Sequence, residues 1–122
     1  MIYFHTKLKV ADNSGGRALQ CIKVYGKAPS GLATVGETVA VSIKKSRPLG
    51  KISKGEVHRC LVVRCRKSTR RPDGSYISFG NNAGIVLNTQ NLPVASRIFG
   101  PIPTELRQRK FMKIISMAVT VL

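Results

Sequence analysis

Residues able to carry acid–base or metal chemistry are few in this 122-residue chain, and none stands where a reaction would need it. Asp12, Glu37, Glu56, Asp73 and Glu105 are the five carboxylates. Each is alone in its stretch, so no pair is set for general acid and general base work. His5 and His58 have no GxSxG-type elbow near them to present a serine nucleophile. His58 and Cys60 would share one face of a strand, but Cys65 is five residues on and falls on the other. With no CxxC pair in the chain, a zinc site is not expected. Gly50-Lys51-Ile52-Ser53-Lys54-Gly55 has the glycine spacing of a phosphate loop. Glu56-Val57 stands where Lys-Ser/Thr must meet phosphate and Mg²⁺, and the stretch from Gly26 to Gly31 fails likewise at Leu32. No enzyme activity, metal or other cofactor is expected.

What the chain has in excess is positive charge. Its 21 Lys and Arg against 5 Asp and Glu give +16 and a pI near 10.7. Charge of that size repels itself unless a polyanion neutralises it, which makes nucleic acid the expected partner. With 43% hydrophobic residues the chain can still build a core, so it is not a disordered basic tail. The window from Lys44 to Arg71 holds eleven basic residues and one acid, Glu56, and therefore +10 of the total. Within it lie two basic loops, 45–55 and 66–71, and the strand pairing that the pattern predicts sets them side by side. A smaller cluster, Arg107, Arg109, Lys110 and Lys113, follows near the C-terminus. The seven aromatics are dispersed and Trp is missing, so no base-stacking platform is evident. Backbone and shape recognition of folded RNA by basic loops is the expectation.

The elements that must hold these loops read mostly as strands of period two. Leu8 and Val10 open one, ended by the turn-rich Asp12-Asn13-Ser14-Gly15-Gly16, and residues 19–24 form the next. Residues 38–44 and 57–66 follow, the second with an outer end that projects from the core. Arg71-Pro72-Asp73-Gly74 predicts a β-turn before strands at 76–79 and 83–88. Thr104 to Arg109 predicts a short helix, and Phe111, Ile114, Ile115 and Ala118 predict a second by their i, i+3, i+4, i+7 spacing. Together these describe one domain over 1–122: a small closed barrel capped by a C-terminal helical segment at about 104–118. The odd cysteine set (Cys21, Cys60, Cys65) points to reduced thiols in an intracellular compartment. No run has the length of a membrane span, and no amphipathic anchor adjoins the basic loops, so a membrane partner is not expected.

Several motifs follow one another along the chain: Val10-Ala11-Asp12-Asn13-Ser14-Gly15, Cys21-Ile22-Lys23-Val24, Gly50-Lys51-Ile52-Ser53-Lys54-Gly55 and Arg71-Pro72-Asp73-Gly74-Ser75. Arg97-Ile98-Phe99-Gly100-Pro101 and Phe111-Met112-Lys113-Ile114-Ile115-Ser116 complete the order. Laid end to end, these motifs resemble the universal large-subunit ribosomal protein 14 family over nearly the whole chain. The resemblance implies a mainly β fold: a five-stranded barrel with a projecting basic β-ribbon or loop and two short C-terminal helices. It also implies a structural constituent of the large ribosomal subunit that binds large-subunit rRNA and bridges to small-subunit rRNA. The neighbouring large-subunit protein 19 and a ribosome-silencing factor are implied partners, and the chain is not an independent homo-oligomer. By position, Lys23, Lys44, Lys45, Arg47, Lys51, Lys54, Arg64, Arg66, Lys67, Arg70 and Arg71 would contact rRNA. Arg97, Arg107, Arg109, Lys110 and Lys113 would lie toward the subunit interface and protein partners. Departures at Gly16, Gly80, Ala95-Ser96, Pro103-Thr104 and Val119-Thr120 are those of a divergent, organellar member. Mitochondria are the expected setting, with a plastid or the bacterial cytoplasm as alternatives; a free-standing RNA-binding regulator or RNA chaperone is the alternative function.

Overall fold

The structure is a computed structural model that describes residues 2–25, 31–48, 50–108 and 112–122. Five strands close the barrel: β1 (Lys7–Val10), β2 (Gly16–Val24), β3 (Thr38–Ser46), β4 (Val57–Arg64) and β7 (Ala83–Leu87). Their order is β1-β2-β3-β4-β7, and β1 closes against β7 in the one parallel pairing of the barrel. Between β4 and β7 the chain leaves as a two-stranded ribbon, β5 (Thr69–Arg70) and β6 (Tyr76–Ile77). The expected Arg71–Gly74 turn joins them, with the Gly74 N–H donating to the Arg71 carbonyl at 3.0 Å. The C-terminal part consists of β8 (Ile98–Ile102), α1 (Glu105–Gln108), α2 (Met112–Met117) and β9 (Ala118–Val121).

Alternation places one side chain in two inside the barrel. Leu8, Leu19, Cys21, Val39, Val41, Ile43, Cys60, Val62 and Val86 fill it. The outward residues of β4 and β7, namely Leu61, Val63, Ile85 and Leu87, are buried as well. Ile98, Ile102, Leu106, Ile114 and Ile115 of the C-terminal part pack over them in a second apolar cluster. The C-terminal segment therefore covers a side wall of the barrel rather than capping an end. It also explains why Cys60-Leu61-Val62-Val63 is apolar on both faces, as a strand covered on both sides must be. The projecting end expected for residues 57–66 is not found: the strand stops at Arg64, and of these residues only Val57, Arg59 and Arg66 are exposed.

Three further expectations change. The second helix stops at Met117, and Ala118 starts β9, parallel to β8. The β-branched Val119-Thr120-Val121 finds a free strand edge there, and pairing overrides the helical spacing. Phe111 lies outside the described residues. Cys65 shares the barrel interior with Cys60. A bulge between Val62 and Arg64 inserts one residue opposite β7 and reverses the alternation after it. The two basic loops stand at opposite ends of the barrel, because antiparallel pairing of Ser42 with Val57 and Thr38 with Leu61 puts 47–56 at one end and Arg66 at the other. The eight residues of β4 separate them by about 26 Å of strand.

Nor does the 45–55 loop project. It folds back on the barrel end, with Ile52 only 1% exposed among the interior side chains. Arg47 N–H donates to the Gly15 carbonyl at 2.7 Å and Lys51 N–H to the Ser14 carbonyl at 2.9 Å. Gly15 and Gly50 make this seam possible. A β-carbon on Gly15 would lie 2.9 Å from the Gly50 Cα, and φ at Gly15 is +106°. The β5–β6 ribbon is the element that leaves the barrel.

Asp12 fastens the same end. Its Oδ1 accepts from Ser14 N–H at 3.1 Å and Ser14 Oγ at 2.6 Å, and its Oδ2 accepts from the Val86 N–H at 3.2 Å. Burial raises its pKa while these hydrogen bonds and Lys51 oppose the rise. Asp12→Ala leaves buried donors unpaired and is expected to lower stability by about 1–3 kcal/mol. A urea denaturation curve checks this, and an unchanged midpoint would remove Asp12 from the framework.

Candidate nucleic-acid interface

The turn at 11–16 and the folded-back 47–56 loop build one basic end of the barrel. Lys44 and Lys45 stand on the last turn-ward residues of β3, and Arg47, Lys51 and Lys54 on the loop; all five are exposed. The hydrogen bonds of the loop to Ser14 and Gly15 hold these cations on a fixed backbone rather than on a swinging tip. Lys51 Nζ also donates to the Val94 carbonyl at 3.3 Å. The acids nearby do not neutralise them. Asp12 is buried, and Glu56 faces His58, with Nε2 and Oε2 2.7 Å apart. That contact holds the Glu56 carboxyl below its ordinary pKa.

Two cations that sequence reasoning missed join this end. Lys9 and Arg17 line one cleft together with Arg47. Lys9 could have been found from the alternation Lys7-Leu8-Lys9, whose lysines face out while Leu8 faces in. Arg17 had no such signal. Gly16 pairs with Ser46 and Ala18 with Lys45, so Arg17 is the extra residue of a bulge and its direction depends on that irregularity.

The opposite end carries Arg66 and Lys67, and the ribbon carries Arg70; all three are exposed, as is Lys23 near the end of β2. Arg64 and Arg71 differ. Half-buried Arg64 donates from Nη1 to the carbonyls of Phe99 at 2.9 Å and Pro101 at 3.4 Å, and burial lowers its pKa. Gly100, at φ +79°, lies so close that a β-carbon there would strike the guanidinium. Arg71 pairs with Glu105 at 2.9 Å and also donates to the Leu122 carbonyl. Both arginines thus tie the C-terminal part to the barrel and ribbon. Arg97 and Lys113 are exposed on that part; the Arg107 side chain, Arg109 and Lys110 lie outside the described residues.

Among the described residues, no three metal-ligating side chains come together. Cys21, Cys60 and Cys65 are free and buried, and burial raises each thiol pKa, which keeps them neutral and weakly nucleophilic. No helix among the described residues is long and apolar enough to cross a membrane. The chemistry this surface offers is attraction of phosphate by cations spread over both barrel ends and the ribbon.

The comparison with protein families agrees with that architecture. The profile described as ribosomal protein L14p/L23e matches residues 1–122, the whole length of the chain. The chain belongs to the ribosomal protein L14p/L23e family, structural constituents of the large ribosomal subunit.

Proposed function

We propose that this protein binds large-subunit rRNA through the basic barrel end formed by the 11–16 turn and the 47–56 loop. Lys44, Lys45, Arg47, Lys51 and Lys54 are the main contacts, with Lys23, Arg66, Lys67 and Arg70 reaching RNA from the other end and the ribbon. The observation that carries this reading is a set of exposed cations on a hydrogen-bonded loop whose neighbouring acids are buried or paired elsewhere. Close-packed phosphates supply the missing counter-charge, and each one neutralised adds about 0.9 to the salt-dependence slope on a duplex. Arg64 and Arg71 serve this function indirectly, by fixing the C-terminal part that carries Arg97 and Lys113.

That C-terminal surface, in this reading, faces the small subunit and contributes to the bridges between subunits. It is also where the large-subunit protein 19 and a silencing factor would dock. A mitochondrial ribosome is the proposed setting, supported by the divergent positions at Gly16, Gly80 and Val119-Thr120. Sucrose-gradient fractionation of the native cell or organelle tests the proposal. A stoichiometric peak with the large subunit that survives a high-salt wash is the expected result. A peak confined to the soluble fractions would replace the scaffold with a free-standing RNA-binding regulator.

A further inference from the structure

Phe99 is an exposed aromatic on an unusually constrained backbone. Half its surface is open to solvent, yet its N–H donates to the Ala11 carbonyl at 2.6 Å and its carbonyl accepts from Arg64 at 2.9 Å. Asn13 locks the approach to β8 as well, its Oδ1 accepting from the Ser96 and Arg97 N–H groups at 3.0 and 3.1 Å. Phe99 borders a cleft of about 320 Å³ whose wall also carries Lys9, Arg17 and Arg47. Among the described residues, none of these three cations forms an ion pair, and the cleft's acid, Asp12, is turned onto Ser14 and Val86.

We infer that this cleft receives one unpaired ribonucleotide of an RNA strand, its base stacked on Phe99 and its flanking phosphates held by Lys9, Arg17 and Arg47. The inference rests on the RNA-binding reading above and names the feature of RNA that this site would select. A single aromatic face flanked by cations suits a base lifted out of the helical stack, because a paired base already has both faces covered. The volume is at the small end of ligand sites, enough for one such unit rather than a helix. Three residues from three separate segments supply the charge, so a strand could be held on both sides of the stacked base.

The test uses the full chain and three RNA hairpins: one with a single-nucleotide bulge, one with the bulge deleted, and one with an abasic bulge. Fluorescence anisotropy is expected to show about tenfold tighter binding of the bulged hairpin than of either control, within the range of one base–aromatic stack. Phe99→Ala should bring that ratio to about one, and Phe99→Tyr should keep it, which separates lost stacking from lost folding. Adenosine monophosphate alone, at millimolar concentration, should not displace the bulged hairpin. Displacement by the mononucleotide would make this a site for free nucleotides and overturn the inference. Equal binding of all three hairpins by the unaltered chain would also overturn it while leaving RNA binding intact. Failure to bind any hairpin would overturn both readings.

Discussion

Ile52→Ala is expected to lower the stability of the isolated chain by about 2–5 kcal/mol, the range for removing a buried isoleucine side chain beyond its β-carbon. Loop residues are ordinarily tolerant of truncation. This one is 1% exposed and belongs to the interior cluster. It also lies under the start of β2, where a β-carbon on Gly16 would meet its Cδ1. Truncation opens a void at the barrel end between Val10, Gly16 and the loop itself, and the strands around it are too constrained to collapse into it. The loop loses its anchor at the same time, so amide exchange at Lys51, held on the Ser14 carbonyl, should quicken. Urea denaturation should show a lower midpoint with the same slope, and Ile52→Val should recover most of the loss. An unchanged midpoint for the alanine variant would mean that the loop does not close the barrel.

Lys51→Glu combined with Lys54→Glu is expected to act on RNA binding instead. Two reversals remove two positive charges and add two negative ones, taking the chain from +16 to +12 and placing both new acids on the basic end. Two lost phosphate contacts reduce the slope of log affinity against log salt by about 1.8 on a duplex, with added repulsion at low salt. Large-subunit assembly or joining to the small subunit should fail. The barrel should still fold, because both side chains are exposed and Lys51 is tied only by its hydrogen bond to the Val94 carbonyl and its coulombic attraction to Asp12, whose own hydrogen bonds to Ser14 and Val86 remain. Gradient sedimentation and a thermal melt of the same variant read the two effects separately. Normal assembly of the double variant would end the role proposed for this loop.

The barrel was legible in the sequence because alternation is local. Leu8 between two lysines, or Val39, Val41 and Ile43 two apart, mark an inside and an outside without reference to any partner strand. The Arg71–Gly74 turn was legible for the same reason, since proline and glycine act on their own backbone. Bulges are not legible in this way. The extra residue between Val62 and Arg64 arises from the mismatch of two strands, and so the side taken by Cys65 could not be read from its own strand. Ile52 illustrates a second limit: one apolar residue in a basic, glycine-rich loop has no period, and only the open end of the barrel gives it a place.

By itself the sequence determined the class of the partner, the lack of paired carboxylates, and a family resemblance carried by ordered motifs, because charge and residue type need no coordinates. It also determined most strands. Which cations share a surface was decided only by the tertiary structure. Antiparallel pairing of β3 with β4 parted two basic loops that are neighbours in sequence, and pairing of β2 with both β1 and β3 brought Lys9, Arg17 and Arg47 to one cleft, where the bond of the Phe99 N–H to the Ala11 carbonyl also holds Phe99. Arg64 and Arg71 were likewise drawn from the basic run to fasten the C-terminal part. Electrostatic binding depends on distance through space, and in a closed barrel that distance follows strand register rather than position along the chain.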